Sequence, residues 1–138
     1  MNLSSRLFAI FSSVTLVGTA CAVYGQGAGA PWVAPAAAAA KKNPLAGKPA
    51  VLAAGKQTFT TTCAPCHGPS GRGDGPAAVA LNPRPANFSS PAIAGDSDGA
   101  LFWKLSEGRG AMVAFKSTLS ETRRWELVSY IRSLQGKK

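Results

Sequence analysis

The sequence predicts a small all-α domain, with three main helices joined by long loops. Three observations carry this. No stretch alternates apolar and polar residues for long enough to read as a strand. Trp125, Val128, Ile131 and Leu134 recur at helical spacing near the C-terminus, with Leu127 and Tyr130 flanking the stripe. Two earlier helical patterns are separated by a run rich in Gly, Pro, Asn and Ser, which suits a loop.

In chain order, Val51, Leu52, Gly55, Phe59 and Thr62 mark a first helix that runs into Cys63-Ala64-Pro65-Cys66-His67. Gly68 to Pro91 reads as the long loop. Asp98 to Glu107 reads as the middle helix, with Asp96, Ser97 or Asp98 as its start and Gly108 as its end. For the last helix, Thr118 and Glu121 have the spacing of a capping box. A domain of this size has a modest core, and a covalently held apolar group would supply the missing bulk.

The five residues from Cys63 to His67 form a C-x-x-C-H run, the attachment signature of a c-type haem. The two thiols add across the porphyrin vinyl groups as thioethers, and the imidazole coordinates the iron. On a helical turn, positions i, i+3 and i+4 share a face, so all three side chains can meet one macrocycle. A thioredoxin-like pair or half a zinc site are the alternatives. No βαβ pattern surrounds the cysteines, and no second cysteine pair or further histidine completes a zinc site.

His67 is the only histidine, so two histidines of one chain cannot share the iron. Of the two methionines, Met1 begins an export signal, which leaves Met112 as the candidate sixth ligand. It lies 45 residues beyond His67 (112 − 67), in the glycine-rich stretch Glu107 to Phe115. His/Met ligation raises the haem potential and favours electron transfer over oxygen chemistry. Lysine, an amide, water or an open site are the other options. A labile sixth position would instead suit a haem enzyme or gas-binding protein, although the chain has no second histidine for distal acid–base work.

Residues 1–22 read as an export signal or membrane anchor: Arg6, an apolar stretch from Leu7 to Val17, then small residues. Ala20-Cys21-Ala22 suits an ordinary signal peptidase. Gly18-Thr19-Ala20-Cys21 loosely matches a lipoprotein box, which would acylate Cys21 as a lipid anchor. Residues 23–49, rich in Ala, Pro and Gly, read as a linker, and residues 50–138 as the haem domain. The formal net charge is +9. Taking away Arg6, Lys41, Lys42 and Lys48 leaves +5 for residues 50–138. A basic balance steers acidic partners, with Arg72, Arg109 and Lys116 as candidate docking residues, and no nucleic-acid motif accompanies it.

Gly55 to Phe59, the C-x-x-C-H run and Trp125 to Leu134 together resemble a class I c-type cytochrome. Gly71-Arg72-Gly73-Asp74-Gly75-Pro76 and Pro83-Arg84-Pro85-Ala86-Asn87-Phe88 resemble its bacterial, exported, monohaem branch. The resemblance spans about residues 50–135. It implies a fold of three helices around one covalently bound haem c. It also implies a glycine that lets the first and last helices cross closely, and a proline carbonyl that accepts the proximal imidazole N–H, with Pro85 first and Pro83 second. Val113 departs from the proline that many relatives carry after the ligating methionine. The function implied is one-electron transfer to redox protein partners on the periplasmic side. The chain would act there as a shuttle or as a membrane-associated subunit of a respiratory complex.

Overall fold

The structure, a computed structural model, describes residues 31–136. The reading of residues 1–22, including Cys21, lies outside that range. The described chain is helical: α1 Ala36–Ala39, α2 Pro49–Thr62, α3 Ala64–His67, a 3₁₀ turn Pro76–Ala80, α4 Pro91–Ala94, α5 Asp98–Glu107 and α6 Glu121–Gln135. No strand forms among the described residues, and one isolated bridge joins Arg109 and Met112.

The core lies where α2 meets α6. Gly55 makes the crossing close: a Cβ there would run into the backbone carbonyl of Glu126 and the Cβ of Tyr130. Phe59, Leu127 and Val128 are fully buried at the contact. Burying each contributes about 1.5–3 kcal/mol. Phe59 packs on Tyr130 with ring centroids 5.1 Å apart. Phe102 of α5 stacks on Trp125 of α6 at 3.9 Å, which brings the third helix onto the same core.

Helix α5 spans the residues its sequence pattern marks. Ser97 caps it by accepting from the Ala100 N–H at 3.1 Å, and Gly108, at φ 63°, ends it. Helix α6 starts differently from the capping-box reading. Its cap is Ser120, whose hydroxyl accepts from Arg123 N–H at 3.2 Å. Thr118 is drawn instead into a turn, donating its N–H to the Phe115 carbonyl at 3.3 Å. Glu121 accepts from the Trp125 indole N–H at 3.4 Å.

The domain boundary also moves. The compact unit begins at Trp32 rather than at residue 50, so most of the expected linker is a strap laid along α5 and α6. Gly99 permits this, because a Cβ there would collide with the carbonyls of Ala38, Ala39 and Lys41. Ser97 donates its hydroxyl to the Ala39 carbonyl at 2.6 Å. Trp32 rests against Trp103 at 6.5 Å between centroids, and Lys104, ion-paired to Asp96 at 2.5 Å, sits over the Trp32 ring. Asn43 is buried and donates to Ser129 Oγ at 2.9 Å and to the Trp125 carbonyl at 3.3 Å. Its Oδ1 accepts from Leu45 N–H at 2.9 Å. An unpatterned alanine run thus docks through small-residue contacts and one buried amide. Lys41, Lys42 and Lys48 are exposed on the strap, so the unit from Trp32 onward carries +8, the +5 above plus these three.

Asn43→Ala removes the amide that ties the strap to α6. It should lower unfolding stability by about 1–3 kcal/mol, the usual cost of unpairing a buried polar group. Chemical denaturation of the holoprotein checks this. An unchanged midpoint would mean that the strap does not depend on Asn43.

Candidate haem site

The Cys63–His67 turn continues α2 with a bend. Cys63 closes α2 by donating its N–H to the Phe59 carbonyl at 2.8 Å. Its own carbonyl then accepts from Cys66 at 3.1 Å and from His67 at 2.8 Å, opening α3. Pro65 sits in the first turn of α3, where no N–H is needed. The helical geometry brings Cys63, Cys66 and His67 together on one turn, as the sequence spacing requires. Neither cysteine is in a disulfide.

The loop after the motif wraps back over it. Gly73 N–H donates to the His67 carbonyl at 2.8 Å and Gly75 N–H to the Cys66 carbonyl at 3.2 Å. A side chain on Gly75 would meet the backbone of Ala64, Pro65 and Cys66, so only glycine allows this approach. Gly71 accepts from Phe88 N–H at 2.8 Å, which ties the second loop to the first. Phe88 then stacks on the His67 ring, with centroids 4.6 Å apart and planes 19° from parallel.

His67 Nδ1 lies 3.0 Å from the Ala86 carbonyl. Donation from Nδ1 leaves the Nε2 lone pair free for a metal. Burial holds the imidazole below its ordinary pKa, partly offset by the Ala86 contact. Burial thus favours the neutral ring, the form that can bind a metal. The carbonyl is Ala86's rather than that of Pro85 or Pro83. Pro85 turns its carbonyl towards Gly73, where a Cβ would strike it. The prolines set the path of the loop, and the next residue supplies the acceptor.

Burial pushes the Cys63 thiol up to about 12, with the neighbouring Cys66 adding to the effect. A redox-active dithiol needs the opposite shift, towards the thiolate. A thioether has no proton to lose and suits a buried position. Among the described residues, no cluster of three or more His, Cys, Asp or Glu could hold a metal ion, which leaves zinc without a donor set. The donors present, two unpaired sulfurs and a neutral, oriented imidazole on one turn, fit a covalently attached haem.

Met112 is half-buried and packs on the core cluster that contains Cys63, Phe59 and Phe88. Its loop is closed by two reciprocal bonds, Arg109 N–H to the Met112 carbonyl at 2.9 Å and Met112 N–H to the Arg109 carbonyl at 3.0 Å. Gly108 faces the backbone of Met112, Val113 and Ala114 at close range. Val113 is 61% exposed and leaves the turn intact. Phe115 is buried and donates its N–H to the Leu105 carbonyl at 3.0 Å, returning the loop to α5.

Residues 50–131 match the family model described as cytochrome c oxidase, cbb3-type, subunit III. The chain belongs to this family. It is a c-type cytochrome, with the small all-α cytochrome c fold and covalently bound haem c as its electron-transfer group. Among solved structures it resembles a chain of the reducing HAO-like protein complex of Kuenenia stuttgartiensis, with a TM-score of 0.59 and 30% identity over 66% of this chain. The cytochrome spans 46% of that longer chain.

Sequence reasoning does not single out Ala86, or Phe88 as the ring beside His67. The Pro83-to-Phe88 run signals a special loop, but a carbonyl's direction is not written in residue type.

Gly108 and Gly110 both hold left-handed backbone, at φ 63° and 58°, yet a Cβ on Gly110 meets nothing within 4 Å. Gly110→Ala should therefore cost only the left-handed strain, about 1–2 kcal/mol. Gly108→Ala should cost clearly more, because it also drives the Met112 backbone outward. Thermal melts of the two holo variants compare them, and equal losses would contradict the close approach at Gly108.

Proposed function

We propose that this cytochrome transfers single electrons through a haem that Cys63 and Cys66 would hold covalently and that His67 and Met112 would ligate. The observation that carries the reading is the His67 arrangement. Nδ1 is committed to the Ala86 carbonyl, Phe88 fixes the ring plane, and Nε2 is left free beside two unpaired cysteines. When bound, the haem supplies an iron that cycles between ferrous and ferric states. Cys63 and Cys66 anchor it, and His67 gives the iron a basic nitrogen whose donor strength is raised by its hydrogen bond. Met112 would offer a soft sulfur, which favours the ferrous state and raises the potential. The two reciprocal bonds at Arg109 and Met112 support a loop that keeps the methionine in place, and so support a carrier over an enzyme with a labile site.

The same reading extends to the setting. The family is described as an oxidase subunit, and the similar solved chain belongs to a protein complex. Both favour a redox subunit or shuttle on the extracytoplasmic side, fed and drained by other redox proteins. No described helix is long and apolar enough to cross a membrane. Membrane association through the leader, as an anchor or as an acylated Cys21, belongs to the same reading. Exposed Arg72, Lys116 and the strap lysines give the domain a basic surface suited to acidic partners.

Met112→Ala should abolish the sulfur-to-iron charge-transfer band of the ferric protein, lower the midpoint potential and admit imidazole at the iron. Haem should remain with the protein band in denaturing electrophoresis, since Cys63 and Cys66 are untouched. Optical spectra, redox titration and haem staining read these together. An unchanged band and potential would remove Met112 from the ligand set, and haem that extracts into acid–organic solvent would refute thioether attachment.

A further inference from the structure

Arg124 is the only lysine or arginine in the described chain that is buried, at 8% exposure. Among the described residues no carboxylate lies within ion-pairing distance of it, whereas Lys104, Lys116, Arg123 and Arg132 each have one. Its Nε finds no hydrogen-bond partner among the described residues. It also stands in the first turn of α6, where the helix dipole disfavours a cation. Burying such a charge is costly, and what the residue holds offers a reason to retain it.

Arg124 Nη1 donates to Ser106 Oγ, and the guanidinium lies 4.7 Å from the centre of the Phe102 ring. Both partners belong to the last two turns of α5. Ser106 in turn donates its hydroxyl to the Phe102 carbonyl at 2.7 Å. The carbonyls of Leu105 and Ser106 accept from Phe115 at 3.0 Å and Lys116 at 3.2 Å. The Met112 loop therefore leaves from the C-terminal end of α5 and returns to it, and Arg124 fixes that end to α6. We propose that Arg124 is the positioning residue for Met112: it locks the base of the loop and so keeps the methionine from leaving the iron. This rests on the reading that Met112 is a ligand.

The test compares ferric holoproteins of wild type, Arg124→Met, Ser106→Ala, Met112→Ala and Arg123→Met. Each is read for the sulfur-to-iron band, imidazole dissociation constant and unfolding midpoint. Arg124→Met keeps the apolar stem but removes the donors. It should bind imidazole about tenfold more tightly than wild type, a factor equal to ~1.4 kcal/mol. Ser106→Ala should move in the same direction by less. Arg123→Met removes only a surface pair and should match wild type. If Met112→Ala opens the iron while Arg124→Met and Ser106→Ala bind imidazole as wild type does, the positioning role is overturned, even if both variants melt earlier. If wild type already binds imidazole like Met112→Ala, the ligand reading itself fails and the positioning role falls with it. Should Arg124→Met lose haem, Ser106→Ala decides alone.

Discussion

The rest of the molecule depends on one close approach, that of α2 to α6 at Gly55. Without a side chain there, the two helix backbones come near enough for Phe59 to sit fully buried against Tyr130, Leu127 and Val128. This fixes the axis of α2, and Cys63 is the next residue after α2 ends. The direction in which the Cys63–His67 turn sets out is therefore decided more than two helical turns before the first cysteine, by an absent methyl group. The placement of Cys63 and Cys66 relies on a packing contact made elsewhere.

From that turn outward, each layer orients the one inside it. Gly73 and Gly75 bind the motif backbone, Gly71 binds Phe88, and the segment leading to Phe88 brings the Ala86 carbonyl to His67. Most of these links are backbone hydrogen bonds between glycine-rich loops. Loops of this kind are usually the mobile part of a small domain. Here they tie down an imidazole, and their exactness follows from the absence of side chains that would hold the strands of chain apart. The Met112 loop is built on the same plan, with two glycines and a reciprocal pair of backbone bonds.

Much of this is legible in the sequence where the determinant is local. The bounds of α5 follow from Ser97 and Gly108, the apolar stripe of α6 is buried as its spacing requires, and C-x-x-C-H declares its chemistry in five residues. What escapes has a remote cause. Thr118 has the capping-box spacing, but the turn begun at Phe115 takes it and leaves Ser120 as the cap. The strap has no periodicity of its own. It is held by Gly99 and by the partners of Asn43, which lie 82 and 86 residues away. Pro85 and Ala86 differ only in which way a carbonyl points, and that depends on the neighbouring loop.

The strap has a mechanical corollary. A free linker over residues 23–49 would be a 27-residue leash, with a contour of about 90 Å at the usual extended rise. With the compact unit starting at Trp32, residues 32–49 lie on the domain itself, about 60 Å of contour that no tether can pay out. The chain therefore enters the domain beside Trp103 on α5, not at the start of α2.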